Sequence, residues 1–159
     1  MEMIAEDKLT YELFAITSLQ ADSAQEAIRK LGGALQQKGI VKDTYVDAVL
    51  QREEIFPTGL PTPEIHVAIP HTDPEHVIKP AIMLGVLKKP VVFGEMGNPD
   101  SQLDVQLICM LAIAKSDSLI NLLEKLVVAF QDPEFLKSMI CCDDPEIAVT
   151  RFNARIPVL

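Results

Sequence analysis

A run of eight apolar residues, Leu107–Ala114 (LICMLAIA), constrains the fold of this chain more than any other feature. It falls far short of the roughly 20 apolar residues that cross a bilayer as a helix. Its length instead suits a buried strand, and with the residues before it the segment predicts a central strand over 104–114. Segments of helical and strand period alternate around it. Such alternation predicts a compact α/β (α+β) domain.

The first 12 residues read as an N-terminal lead-in, without the basic and apolar regions of a signal peptide. One domain over 13–155 is expected to follow. Leu13–Thr17 is a first strand. Ser23-Ala-Gln-Glu26 is a capping box, and the helical spacing of Ala24, Ala27, Ile28, Leu31 and Leu35 predicts a helix over Ser23–Lys38. Gly32-Gly33 inside it marks close packing against a neighbour. Asp43 is the expected cap of a second helix, with Val46, Val49 and Leu50 inward and Arg52-Glu53-Glu54 in its last turn. Prolines 57, 61 and 63 with Gly59 predict a loop over 56–63. Ile65–Pro70 alternates as a strand that proline ends. Ala81–Leu87 and Val91–Phe93 are two further strands, and Phe93–Ser101 is a loop. Leu119, Leu122, Leu123, Leu126, Val127 and Phe130 form one helical stripe. Asp-Pro-Glu occurs at 73, 132 and 144, each matching a helix start with its cap, its proline and its early acidic residue.

Charge narrows the function. The balance of 23 Asp+Glu against 14 Lys+Arg gives a net −9, which argues against nucleic acid and anionic membrane surfaces as partners. Three cysteines, Cys109, Cys141 and Cys142, make no disulfide framework and suit a reducing, cytoplasmic setting. The three histidines, His66, His71 and His76, recur every five residues. Zinc pairs on a helix recur at four, and no cysteine or carboxylate cluster supplies further ligands, so neither a metal nor another cofactor is expected.

His71 is placed differently from its neighbours. It follows an apolar strand and a proline and precedes Thr72-Asp73-Pro74, an expected helix start, so its imidazole lies at a strand end where α/β sheets expose their sites. Amides at that helix start would receive an anion. A neutral imidazole is a nucleophile, and its phosphoryl adduct needs a cation nearby. Arg52, one loop away, has the guanidinium fork that matches phosphate oxygens. A structural histidine at a strand end remains the alternative on these residues alone.

The segment Arg52-Glu53-Glu54-Ile55-Phe56-Pro57-Thr58-Gly59-Leu60, followed by His66-Val67-Ala68-Ile69-Pro70-His71, resembles the mannitol/fructose-type enzyme IIA family of the bacterial phosphotransferase system (PTS). The wording Phe-Pro-Thr-Gly-Leu-Pro-Thr-Pro and His-Val-Ala-Ile-Pro-His-Thr-Asp is most similar to its galactitol branch. The resemblance covers roughly residues 12–153 and implies a mixed β-sheet flanked by helices. By the match His71 accepts the phosphoryl group and Arg52 is the active-site arginine. Phospho-HPr is the implied donor and a cysteine of enzyme IIB the acceptor, energising uptake of a hexitol such as galactitol through membrane enzyme IIC. Mannitol-type members carry a second active-site histidine before the late helix, where this chain has Ser116-Asp117-Ser118. Ser118 is then either a helix N-cap or a hydroxyl that takes over part of that role. Thr58 shapes the phosphate pocket or is turn material. Glu53 is a solvated helix-end charge or orients Arg52, and His66 is structural or supports the site from behind. Two rival functions remain: a regulatory, nitrogen-type enzyme IIA that acts by phosphorylation-dependent protein binding, and a metal module through the three histidines.

Overall fold

A hairpin of two 15-residue strands, β4 (Ala81–Glu95) and β5 (Asn98–Ala112), forms the centre of the chain in a computed structural model that describes residues 10–158. Most of the expected lead-in, residues 1–9, lies outside the described residues. In chain order the other elements are β1 (Glu12–Leu19), α1 (Ala24–Gln37), α2 (Tyr45–Ile55), β2 (Gly59–Leu60), β3 (His66–Ala68), α3 (Ser116–Phe130), α4 (Pro133–Ile140) and α5 (Pro145–Arg155). Strand β1 runs parallel to β4 on one side of the hairpin, and β3 runs parallel to β5 on the other. The short β2 is antiparallel to β3 and also meets the far end of β4, Gly59 opposite Glu95. The five-stranded sheet is therefore mixed, and its hairpin curls until the tip reaches β2.

Both faces of this sheet are covered, because side chains along a strand alternate. Ile82, Leu84 and Val86 of β4 join Leu107, Cys109 and Leu111 of β5 under α3, α4 and α5. Ala81 and Met83 join Ile108, Met110 and Ala112 under α1 and α2. Each fully buried aliphatic side chain contributes about 1.5–3 kcal/mol, so the unbroken apolar run of β5 holds two layers at once.

Helix boundaries follow the caps. Ser23 Oγ accepts the Glu26 amide at 3.1 Å, and Glu26 reaches back to the Asp22 amide at 2.8 Å. Asp132 and Asp144 cap α4 and α5 through the amides of Glu134 and Glu146. Gly32 is needed where α1 crosses α2, since a Cβ there would lie 2.8 Å from Val46 Cγ2, whereas Gly33 faces open space.

Five expectations about single elements fail, each for a physical reason. Val91–Phe93 is not a separate strand: β4 continues through Lys88-Lys89-Pro90 by a bulge between Val86 and Val91, which suits a proline with no amide to donate. Phe93–Ser101 is not a loop but the hairpin tip, with Met96-Gly97 as a two-residue turn and Gly97 at φ +78. The N-cap position of α2 is Thr44, not Asp43. Val127 leaves the α3 stripe and is 40% exposed. The Asp-Pro-Glu at 73 starts only a single 3-10 turn, Pro74–His76, because the backbone beyond it is claimed by pairing: His76 O accepts from Lys42 N, and the Ile78 and Lys79 amides donate to Ile40 O.

Candidate active site

Two elements meet at the end of β3. The strand's line continues past Ala68 through Ile69 and Pro70, whose carbonyl accepts the Leu111 amide of β5 at 3.0 Å. His71 follows at once, so its backbone is fixed by the sheet. Helix α2 lies across this end, tied at its first residue by the Tyr45 hydroxyl, which donates to Leu111 O at 2.7 Å. Burial pushes the Tyr45 phenol far up, so it stays a donor. The seven or eight residues of helix from that anchor to Arg52 and Glu53 span roughly 10–12 Å, which carries both side chains to the far rim of the site.

His71 and Arg52 line one cleft of about 470 Å³, together with Phe56, Thr58, Met96 and Leu119. His71 is 7% exposed. Its Nδ1 lies 2.8 Å from Ile69 O. A carbonyl only accepts, so Nδ1 carries the proton and Nε2 keeps its lone pair. Burial holds this imidazole below its ordinary range, opposed by the Ile69 carbonyl, with Arg52 lowering it further and Asp73 raising it. The ring is thus neutral near pH 7, with a nucleophilic Nε2. The Arg52 guanidinium stands over the Phe56 ring at 5.4 Å and reaches Asp73 Oδ1 only at 3.9 Å, a loose and exposed pairing that leaves its fork available. The cleft's rim carries the exposed apolar side chains Ile55, Phe56 and Met96, and Ile120 is exposed on the first turns of α3.

The remaining expected residues fall in different places. Thr58 is buried in the cleft wall. Glu53 is not a solvated charge: it accepts the Thr58 amide at 2.8 Å and the Thr58 hydroxyl at 2.9 Å. Burial raises its pKa, against the two Thr58 hydrogen bonds and Arg52. Ser118 is not an N-cap, since α3 begins at Ser116 with Lys115 in the cap position; it is buried in the first turn, one residue before Leu119. His66 begins β3 opposite Val105, with its Nδ1 buried and without a hydrogen-bond partner. His76 sits on the 3-10 turn, bonded through Nδ1 to the Thr44 hydroxyl at 2.8 Å. Among the described residues no group of three or more His, Cys, Asp or Glu is arranged to hold a metal ion. The expected helix dipole behind His71 is also missing, because a three-residue turn stands there. Sequence reasoning missed Asp73 as the neighbour of Arg52 and Met96 as a cleft wall. The first was read as a helix cap and the second as loop.

The family model "Phosphoenolpyruvate-dependent sugar phosphotransferase system, EIIA 2" matches residues 8–153. The galactitol-specific EIIA component of Escherichia coli K12 is 27% identical over 135 residues, covering 85% of this chain and 89% of that protein. The mannitol-specific EIICBA component of Vibrio cholerae is 31% identical over 129 residues, 79% of this chain and 19% of that much longer protein. Among solved structures, the Escherichia coli complex of mannitol enzyme IIA with phosphorylated enzyme IIB superimposes with a TM-score of 0.70 at 25% identity, covering 89% of this chain and 92% of that chain. Among the described residues no helix is long and apolar enough to cross a membrane.

Proposed function

The chain belongs to the EIIA 2 family of the phosphoenolpyruvate-dependent sugar phosphotransferase system, and from that premise we propose that His71 is the phosphoryl carrier of a hexitol system. Components of this family are phosphotransferase proteins that pass phosphate between proteins, and the fold is that of the mannitol-type enzyme IIA. The reading rests chiefly on one observation, the His71 ring with Nδ1 bonded to Ile69 O and Arg52 in the same cleft.

In the forward step phospho-HPr docks over the cleft in the cytoplasm. The His71 Nε2 lone pair forms the new N–P bond while the bond from phosphorus to the donor breaks and its electron pair returns to the donor. Charge spreads over three equatorial oxygens, where the Arg52 fork neutralises it. Positive charge that develops on the ring is shared with Nδ1–H and met by the Ile69 carbonyl. In the onward step a cysteine thiolate of enzyme IIB attacks phosphorus, and the His71 Nε2 leaves with the electron pair it had donated. Both partners use the apolar rim of Ile55, Phe56 and Met96, which buries surface without competing charge. Thr58 shapes the wall, and galactitol is the hexitol favoured by this reading, since a galactitol-specific relative is matched over 85% of this chain. Membrane enzyme IIC receives the benefit indirectly.

His71→Gln tests this reading. The variant is expected to lose all acid-labile phosphate incorporation from phospho-HPr, and stoichiometric labelling of it would overturn the assignment. Labelling that survives in the native chain without transfer to any enzyme IIB cysteine would instead indicate a regulatory role.

A further inference from the structure

The phosphoryl chemistry uses His71 and Arg52, yet the most heavily bonded ionisable side chain near the cleft belongs to neither. Glu53 follows Arg52 on α2, and its carboxylate takes both donors of Thr58, the amide at 2.8 Å and the hydroxyl at 2.9 Å. Hydrogen bonds to a charged acceptor are stronger than the neutral kind. The Thr58 carbonyl in turn accepts the Ile69 amide at 3.3 Å. The Ile69 carbonyl accepts His71 Nδ1–H at 2.8 Å. Hydrogen bonds on two intermediate residues, Thr58 and Ile69, therefore link Glu53 to the ring that carries the lone pair.

The series also explains local sequence. Pro57 and Gly59 flank Thr58, and Pro57 Cβ would meet a Cβ on residue 94 at 2.9 Å, while a Cβ on residue 59 would meet Gly94 O at 2.6 Å. The strip is thus pressed against the hairpin tip, and the Glu53 bonds tie its Thr58 end to α2. Helix α2 is pinned at both ends, by Tyr45 to Leu111 and by Glu53 to Thr58, with Arg52 next to the second pin.

Resting on the acceptor role of His71, we infer that Glu53 is a positioning residue: it fixes the Thr58 strip, and through Thr58 and Ile69 it holds His71 in the Nδ1–H tautomer with Nε2 aimed into the cleft. What Glu53 supplies is a frame of hydrogen bonds, and its net charge is dispensable. The amide of Glu53→Gln can still accept from the Thr58 amide and donate to the Thr58 hydroxyl, whereas Glu53→Ala can do neither.

The test pairs a spectrum with a rate on the full chain. Nitrogen-15 correlation spectra of the unphosphorylated protein read the His71 tautomer directly, and single-turnover labelling by phospho-HPr reads the reaction. Glu53→Ala is expected to put the His71 ring into tautomer exchange and to slow labelling at saturating donor by about 10- to 100-fold, the cost of a small misplacement at a reacting centre. The half-saturating donor concentration should stay within about threefold, since docking is not what is lost. Glu53→Gln is expected to keep the native His71 spectrum and most of the rate. Thr58→Val, which keeps the amide and loses the hydroxyl, should fall between them, and it decides the matter if Glu53→Ala does not fold. A native His71 spectrum in folded Glu53→Ala, or in Thr58→Val should that be the deciding variant, overturns the inference. So does a Glu53→Gln protein as damaged as Glu53→Ala. The spectral arm is independent of phosphate, so a native chain that is never labelled at His71 would count against the carrier reading alone.

Discussion

His71 and His76 stand five residues apart, each with Nδ1 held at 2.8 Å, and their surroundings assign them opposite chemistry. The partner of His71 is a carbonyl, which fixes the tautomer and frees Nε2. The partner of His76 is the Thr44 hydroxyl, which accepts or donates as required. Beyond the rings the charges are reversed. His71 has the Arg52 guanidinium in its cleft, suited to an arriving anion, whereas the His76 Nε2 lies 3.6 Å from the Glu75 carboxylate, which would repel one. Burial separates them too, since His71 is almost covered and His76 is half-buried on a surface turn. On the proposed reading, a histidine suited to accept a phosphoryl group has a fixed acceptor behind it and a cation in front of it.

The comparison breaks most completely by exchange of the rings' fates. His71→Gln should abolish labelling, while His76→Gln should label within about twofold of the native rate, the scatter expected of a residue outside the transition state. Next in size is the cation. Arg52→Ala should slow labelling by about 100-fold or more, the usual loss when a donor to developing charge is removed, and Arg52→Lys should recover only part of it because the fork is gone.

Acid gives a smaller effect. The His71 pKa lies below its ordinary 6.5, so labelling should be flat through neutral pH and decline only below the ordinary imidazole range, by about tenfold per unit once the ring protonates. Stability follows the same sign. The unfolded chain takes the proton first, so the contribution is full above pH 6.5 and is lost as pH falls from 6.5 through the lower folded value. Denaturant titrations of the native chain and His71→Gln across that window would show the difference between them shrink on acidification. The smallest effect is expected at His76: Thr44→Val removes its hydroxyl partner and should cost about 0.5–1.5 kcal/mol in a denaturant melt, with labelling unchanged.

Much of this was legible beforehand, and the pattern of success has a physical reason. Strong local chemistry carried through: Ser23, Asp132 and Asp144 cap helices as their side chains dictate, and residues 107–113 of the apolar run lie between two helical layers, with Ala114 exposed beyond them. Arg52 and His71 were legible as candidates by residue type, but they share a cleft because β2 runs back antiparallel to β3, with Gly59 opposite Ala68, which returns the end of α2 to the end of that strand. Non-local pairing was not readable. Gly94, Gly97 and Pro99 look like loop punctuation, yet Glu95 pairs with Asn98 and the tip of the hairpin is driven against Pro57 and Gly59. Asp73 carries a cap signature as good as that of Asp132, but residues 76–79 are claimed by residues 40–42, and the freed carboxylate faces Arg52. The Thr58 partner that removes the solvated reading of Glu53 lies only five residues on, beyond a proline that obscures the turn.

The central claim is that Nε2 of His71, and no other ring atom, receives the phosphoryl group. Nitrogen-15 histidine spectra of the chain after incubation with phospho-HPr test it most directly. The account predicts that the Nε2 resonance of His71 alone takes on the phosphorylated shift while His66 and His76 keep theirs. Phosphate on His71 Nδ1, or on either of the other two rings, would contradict it.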